Sequence, residues 1–168
     1  MNCFTGHDGP YETPVKLPVK RVLKSWIDYN GHMNVAFYTM AFDKSLDYFL
    51  ENYLGLGETH AEYNNQGPFV VQANFHYLNE MRFNEKFFVQ ATLVNFDIKK
   101  MHLCLEIISK KTNVTMAISE QLLLNVNLTK RKTESYPSWA LQRLKTMYEN
   151  HKKIKLPKYI GNKILIKK

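Results

Sequence analysis

The sequence predicts an α+β protein in which an antiparallel sheet wraps around one long, mostly buried helix. Three observations carry that expectation. Between Val35 and Leu54, Phe42, Leu46, Phe49, Leu50 and Tyr53 recur at helical spacing, while Asp43, Asp47 and Glu51 mark the opposite face at four-residue intervals. From Phe69 the period changes to two: Phe69, Val71, Ala73, Phe75 and Tyr77 alternate with Val70, Gln72, Asn74, His76 and Leu78. The apolar runs that follow are joined by short connections, and short connections imply antiparallel pairing. One helix followed by hairpin-linked strands buries its apolar stripe against the sheet.

Taken in order, residues 1–14 read as an N-terminal extension, 15–150 as one domain and 151–168 as a basic tail. Residues 15–26 predict a first strand, with Val15, Leu17, Val19, Val22 and Leu23 among lysines. Pro14 and Pro18 restrict it to a sheet edge or an irregular start, because proline donates no ladder hydrogen bond. Asn30-Gly31 predicts a tight turn, both residues tolerating positive φ. Asn34 stands where a helix N-cap belongs, and the helix over 35–54 stops at Gly55 and Gly57. Its first two turns (Val35, Ala36, Phe37, Tyr38, Met40, Ala41) are apolar nearly all round, which predicts a start engulfed by protein and an exposed far end. Residues 58–67 read as a polar connector. Strands follow at 69–78, 87–93, 101–107 and 114–126, with a turn at Lys110-Lys111-Thr112-Asn113. A peripheral helix begins after Pro137 with Ser138 and runs to 150.

Composition narrows the function. No apolar run is long enough to span a membrane, and Met1 to Pro14 shows no basic segment followed by an apolar one. A cytoplasmic protein with no membrane partner is the expectation. Cys3 and Cys104 have neither metal nor redox spacing, and the six histidines form no paired ligand spacing. No metal or other cofactor is expected. The net charge of +8 belongs to the tail: Lys152, Lys153, Lys155, Lys158, Lys163, Lys167 and Lys168 leave 16 basic against 15 acidic residues in the rest of the chain. Such a tail could meet phosphates on nucleic acid, lipid or coenzyme A. No nucleic-acid-binding motif accompanies it, so nucleic acid is not an expected partner, and a solvated extension is the plain reading.

The chemistry concentrates in Trp26-Ile27-Asp28-Tyr29-Asn30-Gly31-His32-Met33-Asn34, which runs straight into the helix. Helix N-termini carry partial positive charge and free amides, and these stabilise the oxyanion formed when a carbonyl is attacked. A carboxylate beside them, Asp28, can attack the carbonyl or activate a water. A thioester suits this equipment because a thiolate leaves easily. Asp28 could equally do no more than cap a turn. His32 could orient the loop, bind substrate or assist proton transfer, and Asn34 could be only an N-cap. Glu120 falls on the apolar parity of its strand, between Ile118 and Leu122, where an ionised carboxylate is costly unless paired or facing a polar cavity. Either a bulge turns it to solvent or it lines the site. Gln121 and Asn74 are weaker candidates for a polar pocket.

These segments together resemble the hotdog-fold acyl-CoA thioesterases of the 4-hydroxybenzoyl-CoA thioesterase type, most of all those associated with carnitine breakdown and proposed to act on betainyl-CoA. The resemblance rests on Trp26 to Asn34 with Val35-Ala36-Phe37-Tyr38, on Tyr77-Leu78-Asn79-Glu80, on Asp97 with Lys99 and Lys100 before Met101-His102-Leu103, and on Glu120-Gln121-Leu122-Leu123-Leu124. It covers about residues 15–160. It implies a sheet wrapped around the 35–54 helix and a homodimer or dimer of dimers with active sites at the subunit interface. It implies Asp28 as the catalytic carboxylate, the backbone amides of Asn34 and Val35 as oxyanion donors, and acyl-CoA as substrate. His32, Asn34, Glu120 and Tyr77 would bind substrate or support the site. Trp26, Tyr29, Tyr38 and Tyr77, with Glu120, are available to a cationic betainyl group. Two other readings of the fold are an acyl-CoA- or acyl-carrier-binding module without catalysis and an enoyl-CoA hydratase. The Asn-Pro of hotdog hydratases is absent, and the histidine comes one residue early.

Overall fold

The computed structural model describes residues 5–166 and places the helix and the sheet in the expected relation. Helix α1, Val35–Phe49, is capped by Asn34, whose Oδ1 accepts the Ala36 N–H at 2.9 Å. It continues as one wider π turn, Leu50–Leu54, and ends at Gly55, where φ is 69°. A side chain at position 55 would meet the Thr5 carbonyl oxygen at 2.2 Å, so both the backbone conformation and the space require glycine. The Arg143 guanidinium gathers the same corner, donating to the carbonyls of Thr5 (2.8 Å) and Leu54 (3.0 Å) and to Asp8 Oδ1 (2.7 Å).

The strands are β1 (Val15–Lys16), β2 (Lys20–Arg21), β3 (Gln66–Tyr77), β4 (Lys86–Phe96), β5 (Lys100–Ser109), β6 (Thr115–Asn127) and β7 (Lys132–Thr133). The sheet order is β1-β4-β5-β6-β3, with β2 also on β4 and β7 on β6, and every pair is antiparallel. Odd-numbered residues of β5 and β6 face α1: Met101, Leu103, Leu105, Ile107, Ala117 and Leu123 join Phe42, Leu46 and Phe49 in one core. Beyond the β5–β6 register shift near Met116, even-numbered residues of these strands, His102, Glu120 and Leu122 among them, lie on the outer face by alternation. Helix α3, Ser138–His151, contributes Ala140, Leu144 and Met147 to the core.

Four local expectations are corrected. The first strand is two short pieces and a 3₁₀ turn, Lys24–Trp26, because Pro18 interrupts it; both pieces pair with β4 at the sheet edge. The polar connector contains helix α2, Glu58–Asn64, joined to the π turn by Glu51, whose carboxylate accepts the Thr59 N–H at 3.2 Å and the Thr59 hydroxyl. The burial of the long helix runs opposite to expectation. Val35 is 54% exposed and Ala36 is also exposed, whereas Phe49, Leu50 and Leu54 are buried. Val35 and Ala36 are thus left uncovered by the described residues, while Tyr38 and Ala41 of the same two turns are buried. Finally, the tail is not wholly solvated. Ile154, Leu156, Tyr159 and Ile160 are half-buried while Lys152, Lys153, Lys155 and Lys158 point outward. This segment lies on the outer face, where the Tyr159 ring sits 4.9 Å from that of His76.

Strand β3 is the free edge. Residues 69–73 are all exposed, and Phe69, Val70, Val71 and Tyr77 present 41–52% of their surface to solvent. The ladder to β6 is bulged between Val70 and Gln72.

Candidate active site

The loop before α1 is a closed turn. Asp28 N–H donates to His32 O and Gly31 N–H to Asp28 O, each at 3.0 Å. Gly31 takes the positive φ, 81°, that the turn needs. An isolated bridge joins Ile27 to Met33 on either side of it. The Asp28 carboxylate divides its work. Oδ1 accepts the Asn30 N–H at 2.8 Å, which is the turn-capping role. Oδ2 faces the Asn34 amide nitrogen at 3.4 Å and His32 Nδ1 at 4.0 Å, too far for a hydrogen bond to the imidazole. The carboxylate is only 14% exposed. His32 Nδ1 instead donates to the Met33 carbonyl at 3.2 Å. In the neutral ring this leaves Nε2 as an acceptor.

Asn34 ties the carboxylate to the helix start. Its Nδ2 points at Asp28 while its Oδ1 caps Ala36. Its own backbone N–H is engaged, donating to Trp26 O at 2.9 Å, so the Asn34 amide is not a free oxyanion donor here. The Val35 N–H makes no hydrogen bond among the described residues, because the first helical amides lack an intrahelical acceptor. Of the two helix-start amides, only that of Val35 is unengaged.

A cavity of about 320 Å³ opens beside this amide, lined by His32, Met33, Val35, Tyr38, Tyr77, Leu78, Asn79 and Glu80. Asp28 adjoins it through His32. The far wall is the segment after β3, fastened by Tyr38. The buried Tyr38 hydroxyl donates to Asn79 O (3.2 Å) and accepts the Met81 N–H (3.0 Å), and Met81 O accepts the Met33 N–H (2.7 Å). Burial pushes the Tyr38 phenol above its ordinary value, which keeps it a neutral donor. Tyr77 packs edge-on to it, with ring centroids 5.3 Å apart.

The fold thus gathers Asp28, His32, Asn34, Val35 and Tyr77, and it leaves Glu120 out. Glu120 lies on the outer face, away from the β3–β6 bulge at Val70/Gln72, and with Asn74 and Gln121 it lines a separate cavity of about 540 Å³ there. There Oε1 pairs with His102 Nε2 at 2.8 Å and Oε2 accepts the Gly161 N–H at 2.9 Å. Gln121 is buried on the inner face, donating to Ser119 Oγ at 2.9 Å, and Asn74 is on the outer face. Neither lines the cavity beside α1. Of the other aromatics, Tyr29 stands 96% exposed on the turn and Trp26 stacks on Phe37 at 5.6 Å, both outside the cavity lining. Sequence reasoning gave Tyr38 no structural role. Its place on the buried stripe, four residues before Phe42, was the available signal.

The profile of the thioesterase-like superfamily matches residues 22–144, most of the chain and the whole of this site. The betainyl-CoA thioesterase of Pseudomonas aeruginosa is 27% identical over 154 residues, covering 92% of each chain. Among solved structures, a candidate thioesterase of Pseudomonas putida superposes with a TM-score of 0.78 at 26% identity, over 92% of this chain and 98% of that one. A Staphylococcus aureus protein solved in complex with CoA has the same fold, with a TM-score of 0.82 at 22% identity over 95% and 99% of the two chains. The chain belongs to the thioesterase-like superfamily and is a hotdog-fold thioester hydrolase.

Proposed function

We propose that the protein hydrolyses a short acyl-CoA, betainyl-CoA being the first substrate to test, in the cavity beside the start of α1. The observation that carries this reading is a largely buried carboxylate, Asp28, held beside Asn34 and His32 at the start of α1, where the unengaged Val35 N–H and His32 line one cavity. The thioester carbonyl would accept from Val35 N–H, and the helix dipole would stabilise the negative charge that develops on it. Asp28 would attack the carbonyl carbon or draw a proton from an attacking water. Collapse of the tetrahedral intermediate expels the CoA thiolate, giving the free acid directly in the water route, or an acyl-Asp28 anhydride that a water then hydrolyses in the nucleophilic route. His32 and Asn34 keep Asp28 in place. The acyl preference is supported by the lining, since Tyr38, Tyr77 and Glu80 offer two aromatic rings and an acid to a trimethylammonium group.

The active form is a homodimer, or a dimer of two such dimers, with the site at the subunit interface. Two features support this. The long β3 edge presents unpaired backbone groups and exposed apolar side chains, a template for a second copy. The exposed Val35 and Ala36 lack a cover that a second subunit supplies.

The test is release of free thiol from a panel containing betainyl-CoA and simple acyl-CoAs. Asp28→Asn is expected to lower kcat by about a thousandfold or more while the variant keeps its fold and mass. Undiminished turnover by Asp28→Asn would remove the mechanism, and a panel without betainyl-CoA turnover would remove the acyl assignment alone.

A further inference from the structure

The C-terminal segment is fastened to the outer face of the sheet and leaves it at the free edge. Gly161 N–H donates to Glu120 Oε2 on β6, and on β3 the Asn74 side-chain amide donates to Asn162 O at 3.0 Å. Immediately beyond this anchor, Ile164, Leu165 and Ile166 are 97%, 60% and 94% exposed. Three consecutive aliphatic side chains held in water beside a sheet face are an unpaired apolar surface.

A second such surface lies on the same face. Phe69 is opposite Leu124, and Leu122 is opposite Gln72, so Phe69, Leu122 and Leu124 share the outer side. In the single chain Phe69 is exposed and Leu122 and Leu124 are half-buried. Pairing of two β3 edges, the assembly proposed above and the reading on which this inference rests, makes the two outer faces one continuous surface. The tail leaving at Asn74 then faces the other copy's apolar patch across the seam.

We propose that Ile164–Ile166 of each subunit packs across the seam onto the outer face of the second copy, over its Phe69, Leu122 and Leu124. The exchange is reciprocal, as two-fold symmetry requires. An anionic membrane is the competing occupant, given the neighbouring lysines. The anchors at Gly161 and Asn162 favour the second copy, because they hold the segment at the sheet face instead of presenting it outward.

The test uses the full chain with Cys3→Ser and the buried Cys104 retained. Copies carrying Leu165→Cys and one affinity tag are mixed and refolded with copies carrying Phe69→Cys and another, then treated with a short bis-maleimide. A covalent species bearing both tags is expected, and a chain ending at Lys163 should fold normally but dissociate at a dimer constant at least tenfold higher. Three results would overturn the proposal. The mixed copies could give no two-tag product while light scattering shows a dimer. Truncation could leave the dimer constant unchanged. The full chain could sediment with phosphatidylserine vesicles through its tail without any two-tag product. A monomeric full chain would instead defeat the dimer reading beneath it.

Discussion

At the scale of single residues, Asn34 does two jobs with one amide. Its oxygen caps α1 through Ala36, and its nitrogen approaches Asp28 Oδ2. The jobs separate by substitution. Asn34→Ala removes both and should cost about 1 kcal/mol of stability as well as activity. Asn34→Asp keeps a good cap, and its charge suits the helix N-terminus. It also deletes the donor and sets a second carboxylate against Asp28. Urea denaturation should find Asn34→Asp within about 0.5 kcal/mol of the parent, while thiol-release assays find kcat lowered at least about tenfold. Parental kcat in this variant would mean that Asn34 is a cap and nothing more.

At the scale of elements, the two ends of the loop–helix unit each turn on a glycine with positive φ, and the structure ranks them. Gly31 has φ 81° and open space, with nothing within 4 Å of the point a β-carbon would occupy, whereas Gly55 has φ 69° and the Thr5 carbonyl at 2.2 Å from that point. Gly31→Ala should therefore cost only the conformational strain, about 1 kcal/mol. Gly55→Ala adds a backbone collision that also disturbs the carbonyls held by Arg143, and should cost about 2 kcal/mol or more. Urea midpoints of the two variants check the ranking, and equal losses would refute the packing account.

At the scale of the whole molecule, two histidines embedded between elements set a pH dependence. His60 on α2 is buried edge-on against Trp139 on α3, with ring centroids 5.4 Å apart, and neither His60 ring nitrogen has a hydrogen bond among the described residues. His151 closes α3 onto the sheet: its Nδ1 accepts the Leu93 N–H at 3.0 Å and its Nε2 donates to Glu12 O at 2.8 Å, an arrangement that requires the neutral ring. Burial lowers the pKa of both, slightly offset for His60 by Glu51 and for His151 by the Glu12 carbonyl. Because the folded values lie below the unfolded one, the unfolded chain takes up protons first as the pH falls. This stability is complete above about pH 6.5 and is lost as pH falls through the folded-state values. The unfolding free energy from urea denaturation should fall below about pH 6.5 by up to about 1.4 kcal/mol per pH unit for each histidine. His60→Phe should flatten the slope, and an unchanged slope would place the pH dependence elsewhere.

The sequence by itself determined the layer arrangement, because a 3.6-residue period followed by a two-residue period dictates which faces are buried, and both periods survive in the fold. It also located the loop. Asn30-Gly31 could only turn, Asn34 could only precede a helix, and Asp28 between strand and turn is brought to a helix start by connectivity alone. Local rules could not say which backbone amides were spent. That depended on Trp26 O reaching Asn34 and leaving Val35 free. Glu120 is a sharper case: alternation fixed its face relative to its neighbours, but only the packing of α1 against the odd-numbered residues decided which face was inside. The helix start shows the same division. Its apolar composition was plain in the sequence, yet only the packing of α1 decided that Tyr38 and Ala41 are buried while Val35 and Ala36 are exposed.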